Sequence, residues 1–509
     1  MFIEPNTTIR ILKGVPLDPT YEHTIYFDTE LQQRAYFAGM MKYGLYKQNY
    51  QRVQRGSMRV GIPAENLYDC NYLAFQNTAF GDKWFYAFIT GVEYINNATS
   101  QIDFQIDIMQ TWHFDYRLGE CFVEREHNIF DSVGGNLVPE NLELGEYVSD
   151  DFDGTQVLGP KAIVVASTFD ANYDNISGSY YCGLFSGLYF HVFDNTTEGA
   201  QACADFISGA GSKASGIVSV FLMSKAMVGQ MLDSAKTHEV NKTKSISKIG
   251  NYTPRNKKLL TYPYNFLYVT NLQGNYAEYP YEYFSEGECT FMVTGDMSCN
   301  PSVVLVPMNY KGVSTNYDEK IVLSGYPQLA FNTDSFKAWL AQNGSSLGVS
   351  TLGSAMTAGL GLAFATTPAG LAMAGASLAT GVASSVAQVY QHSVMPRQSH
   401  GSSGSQTMAA IGILDFVFMH KHIREEFARI IDDYFDMFGY ATHKVKTPNR
   451  KVRPHWTFTK TKGCTLIGSI PADDARAICS IYDNGITFWV KGENVGNYSL
   501  DNSPTYGGE

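Results

Sequence analysis

The sequence predicts a mainly β protein that carries one long Gly/Ala-rich hydrophobic insert and one amphipathic C-terminal helix. Three observations lead there. The chain holds 33 Tyr, 31 Phe and 5 Trp, and abundant aromatics favour strands and argue against disorder. Ile102-Asp-Phe-Gln-Ile-Asp-Ile108 alternates apolar and polar residues, the mark of a half-buried strand. Lys337 and Arg397 bracket 59 residues without a charge, where the chain's 17% average would place about ten. The 509 residues suffice for about two to four domains. The composition divides them into an N-terminal β domain (1–130), a β-rich middle (131–337), the insert with its Gly/Ser flanks (338–405), and a C-terminal α+β segment (406–509) that packs back on the first.

In the first domain, Ile25 to Phe27, Val60 to Ile62, Trp84 to Ile89 and Ile102 to Ile108 are short aromatic and β-branched runs that read as strands. Asn96-Asn-Ala-Thr-Ser100 separates two of them as a turn would. Leu31 to Tyr50 reads equally as one helix or as a strand pair. In the middle, Ala162 to Ala166 and Val303 to Pro307 read as buried strands, and Tyr276 to Phe284 as a Tyr-rich edge strand. Cys203 to Ile207 and Ile217 to Leu232 read as short helices, and Gly209 to Gly216 as a loop. After the insert, Ile423 to Phe438 is the clearest helix. Its expected core stripe is Ile423, Phe427, Ile430, Ile431, Tyr434 and Phe438, and Gly439 is its stop. The basic run Lys444, Lys446, Arg450, Lys451 and Arg453 reads as a solvated hairpin, or as a contact with DNA or an acidic partner. Strands resume at Thr465 to Ile467 and Ile486 to Val490.

The insert proper runs from Ala338 to Pro396. It reads as two apolar arms, Ser345 to Thr366 and Ala369 to Gln391, joined at Pro368 and Gly370. The arms have 22 and 23 residues, and a helix of that length is ~33 Å long, enough to cross a bilayer core. Small residues recur four apart at Ala355 and Gly359, Ala372 and Ala376, and Ala379 and Ala383, a spacing that lets two helices approach closely in lipid. The side chains expected to enter the membrane are Leu347, Leu352, Met356, Leu360, Leu362, Phe364, Pro368, Leu371, Met373, Leu378, Val382 and Val386. Gly, Ser and Thr dilute the hydrophobicity, which suits a segment shielded at first and inserted later better than a permanent anchor. Asn343-Gly-Ser-Ser346 and His400-Gly-Ser-Ser-Gly-Ser405 flank it as flexible linkers. The same composition also fits a packing hairpin or a plug within a soluble fold.

Net charge is −12, so a grip on phosphates is not expected, although an acidic wall can surround DNA without holding it. The eight cysteines, Cys70, Cys121, Cys182, Cys203, Cys289, Cys299, Cys464 and Cys479, form no C-x-x-C pair and read as buried thiols made in a reducing cytosol. Met1-Phe-Ile-Glu-Pro-Asn-Thr-Thr8 lacks the pattern of a signal peptide, so synthesis in the cytoplasm is expected. No phosphate loop, nucleophile elbow or H-E-x-x-H helix occurs. His420-x-His422 would need a third ligand to hold a metal. Asp151-x-Asp153-Gly154 begins like a calcium loop but has Ala162 near the twelfth position, where an acid is required. No catalytic residue, cofactor or metal is expected.

Leu73-Ala-Phe-Gln-Asn-Thr-Ala-Phe-Gly-Asp-Lys-Trp-Phe-Tyr-Ala-Phe88 resembles the tail-knob (major or distal tail tube) proteins of small Picovirinae-like podophages of Gram-positive bacteria. So do Phe104-Gln-Ile-Asp-Ile-Met-Gln-Thr-Trp-His-Phe114, Phe122-Val-Glu-Arg-Glu-His127, Lys446-Thr-Pro-Asn-Arg450, Ile481-Tyr-Asp-Asn-Gly-Ile-Thr-Phe-Trp489 and Gly496-Asn-Tyr-Ser499. The similarity spans both ends in the same order, around the same kind of insert, and is least in residues 150 to 300. It implies a homohexameric tube at the tip of a short, non-contractile tail, with β-barrel walls around a DNA channel. The inserts would plug the lumen before infection and then form a pore in the host cytoplasmic membrane. The implied partners are further copies of the chain, the upper collar and lower tail proteins, phage DNA passing without sequence recognition, and membrane lipid. A tail-associated cell-wall hydrolase and a purely structural tube are the rival readings.

Overall fold

The computed structural model describes residues 6–48, 56–77, 81, 83–153, 161–174, 179–181, 184–225, 227–228, 238–271, 274–296, 301–323, 328–329 and 415–504. The expected insert lies outside the described residues, and so do all twelve of its candidate membrane side chains. The chain divides into two units. The first joins Met1–Gly145, Ser247–Leu260 and Arg424–Glu509; the second joins Glu146–Ile246 and Thr261–Ile423.

Strand alternation sets the first unit. Its opening elements are β1 (Thr7–Lys13), β2 (His23–Ile25), α1 (Glu30–Gly39), β3 (Met41–Gln48), β4 (Ser57–Val60), β5 (Cys70–Asn77), β6 (Trp84–Asn96), β7 (Thr99–Ile106), α2 (Ile108–Thr111), β8 (Tyr116–Leu118) and β9 (Cys121–Glu126). An antiparallel sheet in the order β3-β1-β5-β6-β7-β4 is buried on both faces. Ile9, Ile11, Leu73, Ala87 and Ile102 enter one core. Leu12, Tyr72, Ala74, Tyr86 and Phe88 enter the other, with Phe37 of α1. Ile11 and Leu12 are consecutive, so the ordinary alternation of the strand sends them into opposite cores. Two bulges in the β6–β7 hairpin bend the sheet, which curls into a half-barrel. Leu31 to Tyr50 is neither one helix nor a strand pair. Thr29 caps α1 by accepting from the Gln32 N–H at 3.3 Å, and the chain re-enters the sheet as β3 after Gly39.

The second unit follows with β10 (Tyr147–Asp153), β11 (Lys161–Ser167), β12 (Ser179–Tyr181), β13 (Leu184–Ser186), β14 (Tyr189–Asp194), α3 (Thr197–Gly209), β15 (Ile217–Ser224), β16 (His238–Thr243), β17 (Asn265–Thr270), β18 (Tyr276–Tyr279), β19 (Glu288–Asp296), β20 (Ser302–Tyr310), β21 (Val313–Thr315), β22 (Ile321–Leu323), β23 (Gln328–Leu329) and β24 (Val417–Ile423). Three sheets, β14-β11-β15-β23, β10-β24-β17-β18 and β16-β19-β20-β21 with β22 also on β20, supply one core that includes Val164, Phe221, Val269, Phe291, Leu305 and Phe418. Ile217 to Ser224, expected to be helical, is the interior strand β15. Both of its faces are covered, so the apolar run carries no period that separates strand from helix. Gly211–Gly216 is a short 3-10 segment rather than a loop. Asp151 and Asp153 lie in β10, extended against β24, and not in a calcium-type loop.

The chain returns to the first unit through α4 (Glu425–Phe438), β25 (Tyr440–Lys446), β26 (Trp456–Lys462), β27 (Leu466–Gly468), α5 (Ala472–Asn484) and β28 (Ile486–Trp489). β25, β26 and β28 complete a sheet in the order β2-β28-β26-β9-β25, and β27 pairs with β8. Gly439 ends α4 at φ +65°, where a Cβ would collide with the Glu126 carbonyl. The buried face of α4 is Ala428, Ile431, Asp432, Phe435 and Asp436. Ile430, expected in the core, is 66% exposed. The stripe is displaced because two aspartates turn inward, toward the partners described next.

Candidate functional site

The strap Ser247–Leu260 and helix α4 meet through buried charge. Asp432 accepts from the Asn256 N–H at 3.0 Å, the Arg255 N–H at 2.8 Å and the Tyr252 hydroxyl at 2.6 Å. The Arg255 side chain faces Asp432, Asp433 and Asp436 together. Burial pushes the Asp436 carboxyl up to about 6, with Arg255 pulling the other way. Glu140, also buried, receives Arg125, Lys258 at 2.6 Å and the Ala441 N–H at 2.8 Å. Burial lowers the Lys258 ammonium, and Glu140 partly restores it. The charges of this network are answered by protein groups, so it holds the strap in place.

The basic run is largely consumed by the same unit. Lys446 pairs with the fully buried Glu126, whose other oxygen accepts from the Asn449 N–H at 3.0 Å. Arg450 lies over the Tyr26 and Tyr116 rings, and Lys451 pairs with Asp28 at 2.7 Å. Arg453 is buried and donates to the Asn502 carbonyl at 3.4 Å. Lys444 is exposed. The run is therefore neither a solvated hairpin nor a continuous DNA-facing patch. Its counter-charge, Glu126, lies 320 residues upstream of Lys446, beyond the reach of local sequence reading.

Open strand edges are the features that suit assembly. β25 ends its sheet among the described residues. Val445 is 70% exposed and pairs across the strands with exposed Phe122, on which the His443 ring stacks at 5.9 Å. A groove of 390 Å³ beside this edge is lined by Ile129, Phe130, Leu137 and Lys444, among others. In the second unit β10 is one of several strands that end a sheet among the described residues, and its sequence includes Asp150, Asp151 and Asp153.

His420 and His422 sit on β24. His420 Nδ1 meets the Tyr281 hydroxyl at 2.7 Å, and His422 Nε2 meets Asp150 at 2.8 Å. Among the described residues no group of three or more His, Cys, Asp or Glu is placed to hold a metal ion. Within the same residues no helix is long and apolar enough to cross a membrane.

Comparison with known proteins places this architecture. The profile of the family described as Bacillus phage phi29 tail knob protein gp9, C-terminal domain, matches residues 228–503, more than half of the chain. A second, the caudoviral major tail protein N-terminus, matches residues 5–117. Tail knob protein gp9 of Bacillus phage phi29 is 23% identical, covering 97% of this chain and 98% of its own. The corresponding proteins of phages PZA and B103 are each 25% identical over the same shares. The structure of the bacteriophage C1 tail knob protein, gp12, aligns with TM-score 0.64 at 14% identity, over 97% of this chain and 99% of that one, and shows the shared fold.

Proposed function

The chain belongs to the tail knob family typified by gp9 of Bacillus phage phi29, and we propose that it forms the distal end of a DNA-ejection tube whose apolar inserts open the host membrane. It is a structural protein of the virion tail and not an enzyme. Six copies stand around a neutral to acidic lumen, since each carries −12 and a basic bore would hold DNA by releasing its counterions. The edge of β25, where His443 and Lys444 are exposed, meets the edge of β10 in the next copy.

One observation carries the membrane step. A chain aligned with tail knob proteins over nearly its whole length contains 59 consecutive uncharged residues, whose composition reads as two bilayer-length arms. In the resting particle the arms plug the lumen; on infection they leave it and span the cytoplasmic membrane. Purified protein imaged by negative stain and then mixed with dye-loaded liposomes tests both parts. Rings together with dye release support the reading. Rings without release leave a purely structural tube, and no rings under any condition remove the channel.

A further inference from the structure

Three thiols converge in the first unit. Cys121 opens β9, Cys464 follows the end of β26, and Cys479 lies on α5. All three are free. The Cys464 thiol lies near enough to both others for each to act on its neighbour's ionisation. The placement is fixed by Asp483, one helical turn beyond Cys479 on the same face of α5. Its carboxylate accepts from the Thr461 hydroxyl at 2.7 Å, the Cys464 N–H at 3.1 Å and the Gly463 N–H at 3.2 Å. The turn bearing Cys464 is therefore clamped onto the helix face that carries Cys479. Cys121 and Cys464 are buried, whereas Cys479 is partly open to solvent. The other described cysteines, Cys70, Cys203 and Cys289, lie on β5, α3 and β19.

We propose that Cys464 and Cys479 form a disulfide when the particle leaves the reducing cytosol and meets a low-molecular-weight disulfide, stapling the end of β26 to α5. Virion surfaces are among the places where such bonds persist. Cys479 reacts first because it is reachable. Its thiol loses a proton to water, and the thiolate attacks one sulfur of, for example, oxidised glutathione. That S–S bond breaks, one glutathione thiolate leaves, and a mixed disulfide remains on Cys479. Cys464, deprotonated in turn, attacks the Cys479 sulfur and expels the second glutathione. Two protein thiols are oxidised, one glutathione disulfide is reduced to two thiols, and the two protons end on the glutathiones. Burial raises both thiols above their ordinary range, Cys464 the more strongly. They are protonated and quiet during synthesis, and the exchange gains about tenfold in rate per pH unit while the thiols remain protonated.

The test uses the full chain with Cys182 and Cys299, which lie outside the described residues, replaced by Ser. Folded protein is held with oxidised glutathione at neutral and alkaline pH, then mapped by mass spectrometry. The expected product joins the Cys464 and Cys479 peptides with the loss of two hydrogens, forms faster at higher pH, reverts with dithiothreitol, and shifts unfolding to higher urea. Cys464→Ala should stop at a glutathione adduct on Cys479. Folded wild-type protein that keeps both thiols free after prolonged oxidation, that links them only after unfolding, or that joins Cys121 to Cys464 instead overturns the proposal. The wild-type mapping decides the matter even if a variant fails to fold.

Discussion

Asn256 meets Asp432 three times: its backbone N–H and its side-chain amide both donate to Asp432 Oδ1, at 3.0 and 2.8 Å, and the same amide reaches the Asp432 carbonyl at 3.1 Å. Asp432 is fully buried, and the strap supplies the donors that meet its carboxylate. Asp432→Ala strands those donors and Arg255, and should cost about 3–5 kcal/mol. Asn256→Ala removes only the amide contacts and should cost about 1–3 kcal/mol. Urea unfolding of the two variants checks the order; equal losses would show that the aspartate is not the hub.

Glu140 supports a second comparison. It answers both Arg125 and Lys258, while Lys258 also donates to the Val138 carbonyl at 2.7 Å. Removing the shared anion leaves two buried cations, and removing Lys258 leaves Glu140 with Arg125. Glu140→Ala should therefore destabilise more than Lys258→Met, whose long apolar side chain refills the space. Unfolding midpoints that rank the other way would contradict this network.

Four buried groups set opposing responses to pH. Burial lowers His127 to about 3 and His113 to about 4, and raises Asp107 and Asp436 to about 6. The histidines bind protons in the unfolded chain first, so their contribution falls as pH drops below 6.5, by about 1.4 kcal/mol per unit each. The aspartates bind protons in the folded state first, so their contribution rises as pH drops through 6 toward 4. Taken between pH 6.5 and 4, the wild-type stability minus that of His127→Gln should decrease with acid, and the difference from Asp436→Asn should increase. Two differences of the same sign would refute these assignments.

The insert can be tested without disturbing the walls. Deleting residues 347 to 389 should leave tail assembly intact but abolish dye release and DNA delivery. Leu360→Asp with Leu378→Asp should do nearly the same, because a charge at mid-bilayer costs ~2.5–3.5 kcal/mol on insertion scales. A deletion phage that infects at wild-type efficiency would mean that the insert serves only as packing or plug.

Val445→Glu addresses the open edge. The side chain is 70% exposed, so the fold should change in stability by about 0.5 kcal/mol or less. Ring formation should fail, because a charge would replace the exposed apolar side chain at the proposed contact with the next copy. Rings that persist place the subunit contact elsewhere.

Legibility in the sequence followed the range of the interactions. Ala162 to Ala166, Val303 to Pro307 and the hairpin turn at Asn96 are local patterns, and each is found where it reads. Helix α4 was legible in extent, since Gly439 stops it, but not in orientation. Asp432 and Asp436 are polar in any local pattern, and only the strap, some 180 residues upstream, makes their face the buried one. The basic run misleads for the same reason. Glu126 and Lys446 stand in two separate motifs quoted for the family resemblance, and nothing in either motif says that they touch. Helix α5 is faint because its buried residues are few, chiefly Ile478 and Tyr482.

The first unit is sewn from three lengths of chain, and this fixes the order of events on the ribosome. β9 is made early, yet its two neighbours, β26 and β25, emerge more than 300 residues later. Until they do, β9 has neither of its sheet neighbours. Folding of this unit must wait for the C-terminal segment, so translation finishes before the wall can close. A truncated product has no β25, no β26 and no α4, so its β9 and its strap lack the elements they pack against.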